Sequence, residues 1–283
     1  MVAKFSKWGF ALLLCAGGLV IGAPGARAQY EGGPPVQDQM PAPMPSNQEQ
    51  RPAAPKVNKE EEAAYKELFA SRSSDVGKQI QLGENFAEKF PESRYLTSVY
   101  AQLAANYMNA GQVDKMFVAG EKALELNPDN TDVLSLLAMA MPRRVNSSTP
   151  DAQQQYQKAE GYARKALELL PNLPRPEGID DAVFQKAKDD KIAMAHSGLG
   201  LILFQRRNYA EARTELTEAV KLSSSPDPVD YYILGNANIQ GSYYNDAVAA
   251  YEKCASVGTG ALAAQCKVRA ESAKKDAATK LGR

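Results

Sequence analysis

From Lys59 to the end of the chain, apolar residues recur at three- and four-residue steps and no sustained alternation interrupts them. That periodicity predicts helices and no strands. Breakers punctuate it at Pro91, Gly111, Pro128, Pro142, Pro150 and the run Pro171-Asn172-Leu173-Pro174-Arg175-Pro176. Two helical patterns, Glu60–Ser71 and Asp75–Phe90, come first and are closed by Pro91. The segment Ile179 to Lys191 is expected to extend a later helix backwards, with Asp180-Asp181 suited to its N-terminus.

Small residues then set a longer period. Tyr231-x2-Leu234-Gly235 leads to Ala247-x3-Tyr251-x2-Cys254, and His196-x2-Leu199-Gly200-x2-Leu203 leads to Ala212-x3-Leu216-x2-Ala219. Gly200 to Gly235 and Ala212 to Ala247 are both steps of 35. Upstream, Tyr100-x2-Leu103-Ala104-x2-Tyr107 runs into Gly111, Ala123 and Pro128, and Leu134-x2-Leu137-Ala138-x2-Met141 follows Leu103 one 34-residue step later. This spelling resembles the tetratricopeptide repeat, a pair of antiparallel helices whose small positions let the helices approach closely. The resemblance implies an all-α, TPR-type α-solenoid of helix hairpins with a C-terminal capping helix, since one hairpin cannot bury its apolar face alone.

On that frame residues 97–261 hold four repeats: 97–130, 131–171, one centred on 193–226, and 228–261. The second is stretched by residues 142–150, so Ala123 to Ala166 measures 43 residues. Residues 59–96 read as a degenerate helical pair and 262–283 as an Ala/Lys-rich cap. Met116 and Gly120 stand where the motif asks for Ala and Phe, which predicts loose packing of that repeat's second helix.

The first 58 residues differ in kind. Lys4 and Lys7, the apolar run from Gly9 to Ala23 and Ala26-Arg27-Ala28 read as a signal peptide cut after Ala28. The run is broken by Gly17, Gly18 and Gly22 and is shorter than the ~20 residues of a membrane span. No stable membrane insertion is therefore expected after cleavage, and Leu14 before Cys15 argues against a lipoprotein signal. Residues 29–58 carry Pro34, Pro35, Pro41, Pro43, Pro45, Pro52 and Pro55 and read as a tether; a polyproline ligand is the other reading. The expected location is the periplasm or the medium.

Composition then narrows the chemistry. The 283 residues carry 33 basic and 33 acidic side chains; losing Lys4, Lys7 and Arg27 with the signal leaves 30 against 33, a net of −3. Nothing in that balance attracts nucleic acid. His196 is the only histidine, so it lacks a partner for catalysis or metal binding. The acidic pairs Asp180-Asp181 and Asp189-Asp190 lie among lysines on helices, as solvated faces do. There is no Walker loop, zincin motif, nucleophile elbow or calcium loop. No enzyme, cofactor or metal is expected. Cys254 and Cys266 fall on neighbouring helices in an exported chain, which suggests a disulfide; two buried thiols are the other reading.

The resemblance also implies a concave face built from positions two, five, nine, twelve and thirteen of each first helix. Met108, Met139, Arg143, Leu201, Phe204, Tyr232, Asn236 and Ile239 fall on it. Lysines of a carboxylate clamp are missing, and the mixture of Met, Leu, Phe, Tyr and Ile suits an apolar helix or an extended peptide. Packing under neighbouring helices, or under the tether, is the alternative. The expected function is a non-enzymatic periplasmic scaffold or adaptor for a protein partner. A component of an outer-membrane assembly or secretion machine, and an accessory subunit that positions an enzyme's substrate, are the alternatives.

Overall fold

The computed structural model describes residues 58–70, 75–145 and 148–280. The expected signal, and the tether up to residue 57, lie outside the described residues. Among those described, eleven α-helices follow one another and no strand occurs. They are α1 (Lys59–Ala70), α2 (Val76–Lys89), α3 (Leu96–Asn109), α4 (Val113–Leu126), α5 (Thr131–Arg144), α6 (Ala152–Leu169), α7 (Asp181–Gln205), α8 (Tyr209–Leu222), α9 (Pro228–Gln240), α10 (Tyr244–Val257) and α11 (Gly260–Lys280). A 3-10 turn, Leu170–Asn172, follows α6.

Helix starts are written in side chains that accept from orphan backbone N–H groups. Asp75 takes Lys78 N at 2.9 Å, Asn130 takes Val133 N at 3.2 Å, and Asp227 takes Val229 N at 2.8 Å. Asp180 takes both Ala182 N and Val183 N, at 2.9 and 3.2 Å, and so launches the 25 residues of α7 as one helix.

Three hairpins turn in the same way. After α3, α7 and α9 the chain passes through one left-handed residue: Gly111 at φ 71°, Arg207 at φ 62° and Ser242 at φ 63°. In each, the next N–H reaches back to a carbonyl of the preceding helix, Gln112 to Tyr107, Asn208 to Leu203 and Tyr243 to Asn238, at 2.8 to 2.9 Å. This is the Schellman closure, which satisfies carbonyls that a helix end leaves unpaired. The α5–α6 hairpin departs from it, because α5 runs on through Pro142 to Arg144 and α6 begins only at Ala152.

α3 and α4, α5 and α6, α7 and α8, and α9 and α10 pack as antiparallel pairs, and α3, α5, α7 and α9 lie along one side of the array. Close approach depends on missing side chains. A Cβ on Gly120 would strike Leu137, one on Gly200 would strike Leu216, and one on Gly235 would strike the Tyr251 ring. The expected looseness at Met116 and Gly120 is not found: Met116 is 1 % exposed and Leu137 fills the space that Gly120 leaves.

One apolar cluster runs without a break from Leu68 of α1 to Leu199 of α7. Beyond α7 the core is made of smaller clusters: Leu216, Leu234 and Ala250 between α8, α9 and α10, and Ala247, Tyr251, Ala270 and Ala273 between α10 and α11. α11 lies against α10 and is bonded to it through Cys254–Cys266, with Cα atoms 5.9 Å apart.

Candidate protein-binding face

By repeat register, the concave residues belong to α3, α5, α7 and α9, and their accessibility varies along the array. Met108, Met139 and Leu201 are 7, 4 and 7 % exposed, so they sit in the core that holds the first helices together and present little surface. Phe204 is half-buried edge-on to Tyr209, with ring centroids 5.4 Å apart. Tyr232 tilts over Tyr251 at 6.1 Å and its hydroxyl accepts from Gln265 of α11 at 2.8 Å. Asn236 accepts from the Tyr251 hydroxyl at 2.8 Å, and Ile239 packs against the α10–α11 cluster. Each of these four keeps part of its surface. At the ends of α3, α7 and α9, Asn109, Gln205 and Gln240 are exposed.

Arg143 is placed differently from what its position on the face suggests. Its side chain is 10 % exposed, and both terminal nitrogens are paired within the chain while Nε is buried without a hydrogen-bond partner among the described residues. Nη2 donates to Ser197 Oγ of α7 at 2.9 Å, to Asp230 Oδ1 of α9 at 2.8 Å and to Asp227 Oδ2 at 3.4 Å, while Nη1 donates to the Met139 carbonyl at 2.6 Å. Ser197 Oγ donates in turn to Asp230 Oδ1 at 2.7 Å. Burial pushes the Asp230 carboxyl up to about 6; Arg143 opposes that shift and the nearby Asp227 charge adds to it. Ser197, Asp227 and Asp230 were not marked as a unit by any motif, because the Asp-Pro-Val-Asp run that holds the two acids reads as an ordinary helix start.

Several other polar side chains of the first helices are paired, while Asn106 Nδ2, Ser135 Oγ and Asn238 Oδ1 are buried without a hydrogen-bond partner among the described residues. Lys191 of α7 meets Asp132 of α5. Asp190 accepts from Ser224 N and Oγ at 2.6 and 2.9 Å. His196 Nδ1 lies 2.6 Å from Glu215 of α8, an inter-helix bridge with no third group to form a relay. Among the described residues no group of three or more His, Cys, Asp or Glu is placed to hold a metal ion, and no helix is long and apolar enough to cross a membrane.

No protein-family model and no curated protein matches the chain. Among solved structures it is similar to TTC0263, a thermophilic TPR protein of Thermus thermophilus, at 17 % identity and a TM-score of 0.46 over 76 % of this chain and 98 % of that one. It is also similar to PilW, a type IV pilus biogenesis factor, at 14 % and 0.48 over 78 % and 92 %, and to a mutant of MamA at 15 % and 0.45 over 70 % and 98 %. Scores of this size leave the assignment to the chain's own hairpins, to the recurring left-handed turn and to the glycines that seat a large side chain from the next helix. By those features the chain has the fold of the tetratricopeptide-repeat family.

Proposed function

We propose that the chain is a non-enzymatic scaffold of the periplasm that holds a protein partner, as an extended peptide or a helix, on the face made by α3, α5, α7 and α9. The observation that carries this reading is the surface left at the C-terminal ends of α7 and α9. Exposed Gln205 and Gln240 stand beside half-buried Phe204, Asn236 and Ile239, and half-buried Tyr232 lies one turn before Asn236 on α9. Amides pair with the peptide backbone and aromatic rings accept side chains, a combination that grips a chain at many small contacts. With Met108, Met139, Leu201 and Arg143 committed to packing, the binding strip is the more polar, C-terminal part of the face.

Export is supported by the n-region, apolar run and A-x-A site of residues 1–28, and by the Cys254–Cys266 bond, a feature that persists in oxidising compartments. A photo-crosslinking residue placed at 205 or 240 in cells should yield an adduct with the same protein from both positions and none from position 125, exposed on α4. Equal labelling from position 125, or no protein adduct from 205 and 240, contradicts the proposal. Release of the chain by osmotic shock tests its location.

A further inference from the structure

The cluster around Arg143 sits at a seam. The continuous apolar core ends on α7, and the clusters beyond it belong to α8–α10 and α10–α11. On the α8 side the seam is closed by apolar contact, through Leu216 and Leu234. On the side of the first helices, what joins α5 and α7 to α9 is polar: one guanidinium, one hydroxyl and two carboxyls. Apolar packing on one edge and buried charge on the other is the arrangement of a hinge whose closure depends on charge balance.

That balance is uneven. Two carboxylates face a single guanidinium, with Asp230 and Arg143 both 10 % exposed and Asp227 15 % exposed. The N-terminus of α9 eases part of the negative charge, yet a surplus carboxylate in so dry a place is costly. A proton on one carboxyl removes the surplus and keeps every hydrogen bond, since Asp230 Oδ1 still accepts from Arg143 and Ser197. The groups that meet Asp230 are Arg143 from α5, Ser197 from α7 and Asp227 from its own helix start. Asp132 and Lys191 pair with each other at the opposite end of α5, Asp190 is bound by Ser224, and His196 turns to Glu215 of α8.

We propose that Arg143, Ser197, Asp227 and Asp230 form a proton-operated hinge lock. With one carboxyl protonated, α9 is clasped onto α5 and α7. With both ionised, the seam admits water and the angle between the first three hairpins and the last is released. Burial pushes the Asp230 carboxyl up to about 6, a value that the periplasmic or external pH of a growing cell can cross. The lock acts on the chain itself, with or without a partner.

Amide exchange on the full chain tests it, read at residues 233–236 of α9 and corrected for the intrinsic rate at each pH. Protection should fall by up to roughly a hundredfold between pH 4 and pH 7, following the upward shift of the carboxyl from its ordinary value. Asp230→Asn keeps the acceptor and cannot ionise, so its protection should stay high and flat across that range. Asp227→Asn, which preserves the helix cap, removes the neighbouring charge but not the burial, so it should make the profile shallower without flattening it, and it carries the test if Asp230→Asn does not fold. Gln154→Glu adds an acid on the exposed side of α6, outside the cluster, and should keep the wild-type slope. A wild-type profile that does not change with pH, or a slope that neither Asn variant reduces, overturns the proposal.

Discussion

The carbonyl oxygen of Ala138 on α5 faces the α-carbon of Gly198 on α7, so closely that a Cβ there would collide with backbone. Pro142, four residues on, has no N–H to occupy that carbonyl as a helix normally would. A proline in the last turn of α5 and a glycine in the middle of α7 thus let two helix backbones meet. The cost of Gly198→Ala should fall toward the upper end of the roughly 1–3 kcal/mol that overpacking costs, since backbone cannot yield. Gly200→Ala meets mainly the Leu216 side chain and should cost less. Urea unfolding of the two variants checks the order, and equal losses would contradict it.

The end of the array depends on a covalent bond. α11 buries only small side chains, Cys266, Ala270 and Ala273, against α10. Such a helix gains little from apolar burial. Opening Cys254–Cys266, which are 12 residues apart, should cost about 3 kcal/mol. The Cys254→Ala, Cys266→Ala double variant should lower the unfolding midpoint and expose the amides of α11 to exchange. A midpoint equal to that of the oxidised wild type would show that packing alone holds the helix.

Tyr251 reports on the last hairpin. Its ring covers Gly235, its hydroxyl donates to Asn236, and burial pushes it up to about 12. A phenol whose folded value lies above its unfolded value of about 10 binds its proton more tightly when folded. Its contribution is complete below pH 10 and is lost as pH rises toward 12. Tyr251→Phe should weaken that alkaline slope and cost about 1 kcal/mol at neutral pH, because Asn236 loses its donor. Denaturant titrations between pH 7 and pH 11 measure both effects.

The repeat was legible in the sequence because close helix packing leaves a trace at fixed intervals: Gly200 and Gly235, one repeat apart, are small since Leu216 and Tyr251 pass over them. The candidate face was less legible. Register places Met108, Met139 and Leu201 on it, but register does not say how deeply neighbouring first helices bury a position. Arg143 illustrates the limit. Its partners lie 54, 84 and 87 residues away, and each of them has an ordinary local reading, as a small polar helix residue, a cap or a first-turn acid. Met116 and Gly120 erred in the other direction, since a departure from the motif was compensated by Leu137 from the next hairpin.

The reach of Arg143 bears on how the array melts. Stacked repeats ordinarily interact with adjacent units alone, so their stability behaves as a one-dimensional chain of independent terms. Here a side chain of the second hairpin crosses the third to hold the start of the fourth. A contact between non-adjacent units is expected to couple the melting of the final three hairpins while the cluster is closed. Exchanging the third would remove Ser197 from between Arg143 and Asp230, and excising it would change the distance over which those two meet, so this part of the solenoid is not modular in the way its repeating sequence implies.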